Sequence, residues 1–258
     1  VVIVNTCCFI GDAKEESINT ILEMAQLKEE GKCRIQLVAG CLAQRYRKEI
    51  LKEIPEVDGI LGTASYDRIR EVLAQADKRQ KELSTSQEKP VCMEVLNRLP
   101  ESGTERILTT GGHYAFLKIA EGCDKHCTYC IIPSLRGSYR SVPMERLVTE
   151  ARLLAEKGVR ELILVAQETT QYGLDLYGKK ALPELLHQLA EISGIYWIRI
   201  QYCYPEEITD ELIETIKKEE KVCHYLDIPI QHASDNILRR MGRQTDQVGI
   251  RRIVEKLR

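Results

Sequence analysis

Cys123, Cys127 and Cys130 lie in the run EGCDKHCTYC (121–130) with the spacing CxxxCxxC. Thiols clustered this closely point to metal binding rather than to crosslinking. Three sulfur donors with no fourth cysteine nearby suit a cubane iron–sulfur cluster, whose four irons leave one without a protein ligand. An open coordination position marks a catalytic metal centre. The alternative is a zinc site completed by His126 or a distant cysteine. Zinc more often uses CxxC pairs, and the chain has no second pair.

Other residues sit where the sequence pattern ends its strands. VVIVNTC (1–7) and IQLVAGC (35–41) place Cys7 and Cys41 just past two apolar runs. In a parallel sheet both would emerge at the C-terminal edge, where α/β folds build ligand sites. Cys8 is adjacent, but neighbouring cysteines reach two irons only with strain. Cys33 precedes its strand and reads as core. Cys92, Cys203 and Cys223 have no metal spacing and read as small hydrophobes. Gln167, Glu168 and Thr169 follow the run ELILVA (161–166), either as ligand contacts or as a cap. Arg199 offers a planar fork to a carboxylate ligand or to an internal salt bridge. Gln231 and His232 follow YLDIPI (225–230), and His232 also fits a hydrogen-bonded loop position. Arg136, Arg140 and Arg146 form a basic group beyond the cysteine loop, suited to an acidic substrate or to a solvated face.

The elements that must position these residues alternate. Strands are predicted at 1–4, 34–40 and 57–62. The first is a β-branched run of the kind covered on both faces. Helices are predicted at 12–30, up to 53, and at 65–83. Asp12 is placed to cap the first, and Ile18, Ile21, Leu22 and Ala25 share its apolar stripe. Pro55 stops the second. A second series follows: strands at 114–120, 161–166, 196–202 and 225–230, with helices at 143–158, 182–193 and 206–218 and two closing helical segments. The pattern is α/β, a small parallel sheet (flavodoxin-like, incomplete) followed by a partial (β/α) barrel. The expected domains are 1–83, a linker at 84–111 containing STSQEKP and LPESGTER, with a short strand around VCMEVL, and 112–258. The chain opens on Val1 inside a strand pattern and ends at Arg258 inside a helical one, so it is read as a piece of a longer protein.

EGCDKHCTYCIIPSLRG (121–137), VAQETTQYG (165–173) and DIPIQHAS (227–234) resemble the radical S-adenosylmethionine (SAM) methylthiotransferase family. They are most similar to the branch that modifies an aspartate of a small-subunit ribosomal protein. The branch acting on tRNA adenosine usually has Gln-Asn where this chain has Glu168-Thr169, and Gln-Ser-Gly where it has Gln231-His232-Ala233. The resemblance runs from NTC (5–7) to the end. It implies a 4Fe–4S cluster on Cys123, Cys127 and Cys130, with SAM chelating the open iron. It also implies Tyr129 near the adenine, Glu168 with Gln167 at the SAM ammonium, and Arg199 and Gln231 as further SAM contacts. A second 4Fe–4S cluster is implied on Cys7 and Cys41, with its third ligand upstream. The implied chemistry uses two SAM molecules: one gives a methyl group to a sulfur, the other is cleaved to a radical that opens a substrate C–H bond for methylthio insertion. A flavodoxin or ferredoxin is implied as electron donor. The family often carries Arg where Val142 stands, so no role is carried over there.

Composition sets the outer bounds. The chain has 258 residues, 43% hydrophobic and 29% charged, with 37 Lys plus Arg against 39 Asp plus Glu, a net charge of -2. That balance excludes a strongly basic chain built to coat nucleic acid, and no direct nucleic-acid binding is expected. No apolar run approaches the length of a membrane span. The ten cysteines with no secretory signal suit reduced thiols in a cytoplasm. A non-catalytic zinc-binding interaction module is the most distant reading, and it leaves VAQETT and QHAS without a purpose.

Overall fold

The computed structural model describes residues 1–82, 88–99 and 106–258. Parts of STSQEKP and LPESGTER lie outside the described residues. Two compact units are present: Val1–Glu101 with Ile131–Gly137, and Ser102–Cys130 with Ser138–Arg258.

In the first unit, β1 (Val2–Thr6), β2 (Gln36–Gly40), β3 (Gly59–Leu61) and β4 (Val91–Cys92) form one parallel sheet in that order. The short strand around VCMEVL is thus the two-residue β4. The connecting helices are α1 (Gly11–Glu29), α2 (Cys41–Glu53) and α3 (Ile69–Lys81). β2, between two neighbours, is buried at every position. β1 pairs with β2 on one side only, and its residues alternate: Val4 and Thr6 are buried while Ile3 is exposed. Among the described residues β1 is thus an edge strand, and the alternation shows that one of its faces is uncovered, where the apolar run was read as doubly covered. In α1, Ile21 and Ala25 reach the core but Leu22 is 45% exposed. Asp12 lies inside the first turn rather than at the cap. Ile10 takes the cap position without a side-chain bond, leaving Asp12 to favour the helix through its charge near the N-terminus. The helix α4 (Ile132–Arg136) belongs to this unit, where the Leu135 carbonyl accepts a 2.6 Å hydrogen bond from the Thr63 hydroxyl.

In the second unit, β5 (Tyr114–Lys118) pairs with β8 (Glu161–Val165), β8 with β9 (Trp197–Ile200), and β9 with β10 (Val222–Leu226), all parallel. β6 (Ala120–Glu121) and β7 (Arg140–Ser141) form a small antiparallel pair. The helices are α5 (Met144–Glu156), α6 (Leu174–Tyr177), α7 (Leu182–Ala190), α8 (Asp210–Lys218), α9 (Asp235–Arg240) and α10 (Gln247–Leu257). One sheet face carries Ala115, Leu117, Leu162, Leu164, Ile198 and Ile200, all but fully buried against Leu147, Ala151, Leu185, Leu186 and Leu212 of the helices. Period-2 strands meeting 3.6-period helices account for this core.

Two elements differ from expectation. The fourth strand spans Val222–Leu226 instead of 225–230. Its ladder is irregular between Val222 and Leu226, and beyond it Asp227 turns to the preceding strand's loop, its carbonyl accepting from Cys203 N at 2.9 Å. Pro229, which has no N–H, could not continue the ladder. The helix expected from 206 begins at Asp210. Thr209 caps it, accepting from Leu212 N at 3.2 Å, and Pro205–Glu207 form a separate 3-10 turn. Among the described residues, no helix is long and apolar enough to cross a membrane.

Candidate functional site

β5 delivers the chain to the loop holding Cys123, Cys127 and Cys130, at the C-terminal edge of its sheet. Cys123 and Cys127 are buried and Cys130 is half-buried. Burial, together with the nearby Glu168, Cys130 and Cys127, pushes the Cys123 thiol up to about 11, against a backbone hydrogen bond at Lys125. Cys127 and Cys130 therefore lie close enough to Cys123 to disfavour its thiolate. A bound cation reverses that cost, because ligating thiols are deprotonated. Among the described residues, no three or more His, Cys, Asp or Glu converge on a point suited to one metal ion.

The loop is pinned from two sides. Lys125 forms ion pairs with Glu207 and, at 3.9 Å, Glu206, and its ammonium lies 5.3 Å from the Tyr204 ring centroid. Burial would raise Glu207, but hydrogen bonds from Lys125 and Lys180 prevail and hold its carboxyl down at about 2. On the other side, Thr128 N donates to the Met241 carbonyl at 3.0 Å and the Thr128 hydroxyl to the Arg240 carbonyl at 3.1 Å. Gly242, with φ 72°, lets this turn approach: a Cβ there would stand 2.9 Å from the His126 carbonyl oxygen.

Glu168 follows β8 and is 1% exposed. Its Oε1 accepts hydrogen bonds from Thr170 N (3.1 Å) and the Thr170 hydroxyl, while Oε2 is buried without a hydrogen-bond partner. Burial raises its carboxyl to about 7, opposed by the Thr170 bonds and by Lys125. Gln167 Oε1 is likewise buried without a partner. Unsatisfied buried acceptors are costly, and an ammonium-bearing ligand would satisfy them. Three sulfur donors beside such acceptors fit a cluster with an amino-acid-like ligand. Thr169 is structural: its hydroxyl donates to the Gln201 carbonyl at 2.7 Å and lies 3.5 Å from Cys203 Sγ, whose thiol burial pushes up to about 12.

The other sequence candidates are dispersed. Tyr129 is 55% exposed on the cysteine loop. Gln231 is exposed with φ 65°, after β10. Arg199 takes the internal salt bridge, Nε to Glu161 Oε1 at 2.7 Å, with its guanidinium 5.1 Å from the Tyr225 ring. Glu161 is the first residue of β8, so Arg199 leans toward the strand starts, away from the edge carrying Glu168. His232 Nδ1 accepts from Ser234 N at 2.9 Å, a loop bond.

Sequence reasoning missed Arg243, Tyr204 and Lys125. Arg243 Nη1 lies 3.9 Å from Cys127 Sγ, and its guanidinium stacks 4.1 Å over Tyr204. No local spacing connects residues 116 positions apart. The only signal within reach was Lys125, inside the cysteine motif itself.

In the first unit, Cys7 directly follows β1 and Cys41 begins α2. Ser17 fixes Cys7, accepting from its N–H and donating to its carbonyl, both at 3.0 Å. Gly40, with φ 97°, brings Cys41 onto the end of β1, where any Cβ would collide with the Thr6 carbonyl. Burial, then Cys41 and Cys7, push the Cys8 thiol up against the pull of Arg45, so Cys8 lies within electrostatic reach of both cysteines. Cys33 is buried, as read. None of the ten cysteines forms a disulfide.

Comparison with known proteins adds the family. Residues 1–62 match an uncharacterized protein family, UPF0004. The chain is 63% identical over its whole length to the ribosomal protein uS12 methylthiotransferase RimO of Lachnoclostridium phytofermentans and 54% identical to that of Acetivibrio thermocellus. It spans 57% and 56% of those relatives' lengths. Among solved structures, the cobalamin-dependent S-adenosylmethionine radical enzyme OxsB, with aqua-cobalamin and SAM bound, superposes with a TM-score of 0.62 at 13% identity. It covers 100% of this chain and 39% of OxsB. The radical SAM methyltransferase TsrM of Kitasatospora setae gives 0.61 at 13% identity, covering 90% of this chain and 49% of TsrM. These structures share the fold. Residues 117–258, the part of the chain that carries the three-cysteine loop and Glu168, match the radical SAM superfamily, and the chain belongs to it.

Proposed function

We propose that this chain is the cluster-bearing part of a methylthiotransferase that inserts a methylthio group at the β-carbon of an aspartate in a small-subunit ribosomal protein, uS12. The observation that carries this reading is the loop of Cys123, Cys127 and Cys130 beside Glu168, whose Oε2 is buried and unpartnered. Identity of 63% to a uS12 methylthiotransferase across the whole chain supports the substrate class.

Cys123, Cys127 and Cys130 would hold one 4Fe–4S cluster, with SAM on its open iron. Together they supply radical chemistry that no side chain can provide. Glu168 accepts the SAM ammonium through Oε2 while Thr170 holds Oε1. Gln167 adds a second acceptor. Tyr129 and Gln231, both exposed, are further contact candidates. Arg199 is committed to Glu161 and contributes to the sheet instead. Cys7 and Cys41 would ligate the second 4Fe–4S cluster with a third ligand from elsewhere, and the two units are the two cluster-bearing domains. A flavodoxin or ferredoxin supplies the electron, and the setting is cytoplasmic.

The test is anaerobic reconstitution with iron and sulfide, then electron paramagnetic resonance of the reduced protein. A signal that changes on adding SAM and vanishes in Cys127→Ala supports the reading. No cluster, or a signal indifferent to SAM, overturns it. Mass spectrometry of reaction products from the full-length enzyme then identifies the substrate, and methylthiolation of tRNA nucleosides with none on uS12 would replace the protein substrate.

A further inference from the structure

We propose that Arg243 is a positioning residue for the cluster on Cys123, Cys127 and Cys130, its buried charge beside Cys127 raising the cluster's reduction potential. The proposal rests on the reading that those cysteines hold a cluster.

The Arg243 side chain is 1% exposed, although arginine is almost never buried without a matched partner. Its nearest carboxylate, Glu206, stands 3.8 Å away, longer than a hydrogen-bonded ion pair. Nη2 donates to the Pro229 carbonyl at 3.2 Å, and Nε is buried with no hydrogen-bond partner. The guanidinium plane rests on Tyr204, and Nη1 points at Cys127 Sγ from 3.9 Å. Glu206, the Tyr204 ring and Cys127 Sγ surround the cation. A thiolate-ligated cluster, which is anionic, would add to this compensation from the Cys127 side.

The placement is fixed independently of the side chain. The turn carrying Arg243 is tied to the cysteine loop by the two hydrogen bonds from Thr128 to the carbonyls of Arg240 and Met241, and by the close approach at Gly242. The Arg243 backbone is therefore tied to the loop, while Tyr204 and the Pro229 carbonyl hold the guanidinium itself. Net charge and hydrogen bonds at the ligating sulfurs are among the factors that set cluster potentials. Reduction adds one electron to the cluster, and a fixed positive charge stabilises the product more than the reactant. Glu206, facing the same guanidinium, opposes this effect.

The experiment is a redox titration of the reconstituted protein followed by electron paramagnetic resonance, on the unmodified chain and on Arg243→Met, Arg243→Lys and Glu206→Gln. Arg243→Met is expected to bind cluster and to shift the reduced-to-oxidised ratio at fixed potential at least tenfold toward oxidised, about 59 mV for a one-electron couple. Arg243→Lys keeps the charge without the stacked fork and should fall between. Glu206→Gln should shift the midpoint upward. A cluster-loaded Arg243→Met with an unchanged midpoint overturns the proposal. Should that variant fail to load, an unshifted Glu206→Gln overturns it instead. Absence of any cluster in the unmodified chain is a separate result, against the cysteine assignment.

Discussion

Thr170 grips one oxygen of the Glu168 carboxylate with both its backbone N–H and its hydroxyl, and leaves the other oxygen buried and unsatisfied. A side chain two residues away thus fixes the carboxylate through one oxygen without satisfying the other. Substituting Glu168→Gln should keep the Thr170 bond to Oε1 and lose the ionic contact. Hydrogen bonds to charged groups contribute about 1.5–3 kcal/mol, so SAM affinity is expected to fall roughly 10- to 100-fold. Equilibrium binding to the reconstituted protein checks this, and an affinity within twofold of the parent would remove Glu168 from the SAM site.

Without SAM, the same carboxyl makes stability depend on pH. Burial raises Glu168 from 4.5 to about 7. The folded protein holds the proton up to that pH, whereas the unfolded chain releases it near 4.5. Stability therefore falls as pH rises through this window, by about 3 kcal/mol in full. Urea unfolding of the cluster-free protein at pH 5 and pH 8 should show a smaller difference for Glu168→Gln than for the parent. Equal differences would mean that Glu168 titrates normally.

Glu207 acts in the opposite direction. Lys125 and Lys180 overcome its burial and hold it at about 2, below its ordinary 4.5. Its contribution is present above pH 4.5 and is lost as pH falls toward 2, reduced by the solvent screening that a partly solvated ion pair feels. Glu207→Gln should flatten that acid limb. It should also loosen the cysteine loop, because Lys125 loses its main partner, and iron retained after gel filtration would fall.

The close approach at Gly242 makes a small substitution severe. Gly242→Ala places a Cβ 2.9 Å from the His126 carbonyl at a φ of 72°. Strained backbone of this kind costs about 1–3 kcal/mol, and relief requires moving the loop that carries Cys127. Both the unfolding free energy and the iron content are expected to drop. Gly158→Ala, where a Cβ meets nothing within 4 Å, is the control: it should cost only the backbone term and leave iron unchanged.

Cysteine substitutions separate ligands from packing in the first unit. Cys7→Ala and Cys41→Ala should lower iron by up to about four atoms per chain, one cluster. Cys8→Ala should leave iron unchanged and cost about 1 kcal/mol, the loss expected for a small buried atom. Iron loss in Cys8→Ala equal to that in Cys7→Ala would make Cys8 a ligand.

The chemistry-bearing cysteines and the alternation of strands and helices were legible because both are local. Three thiols within eight residues need no tertiary information to share a loop, and periodicity follows from burial on one face. Coverage was less legible: VVIV looked doubly buried, but the face of β1 that carries Ile3 is left uncovered, and only packing determines which face of a strand is covered. Arg199 illustrates the same limit within the site. Its type suited a ligand carboxylate, but parallel register with β8 put Glu161 within 2.7 Å. Arg243 gave no sign at all, since its relation to Cys127 exists only because the chain returns across 116 positions and the Gly242 turn docks on the cysteine loop. The sequence by itself determined which atoms are available for metal and radical chemistry, because donor type and short spacing are covalent facts. The tertiary structure alone decided which charges are buried beside those atoms, because burial, stacking and ion pairing depend on segments brought together by packing.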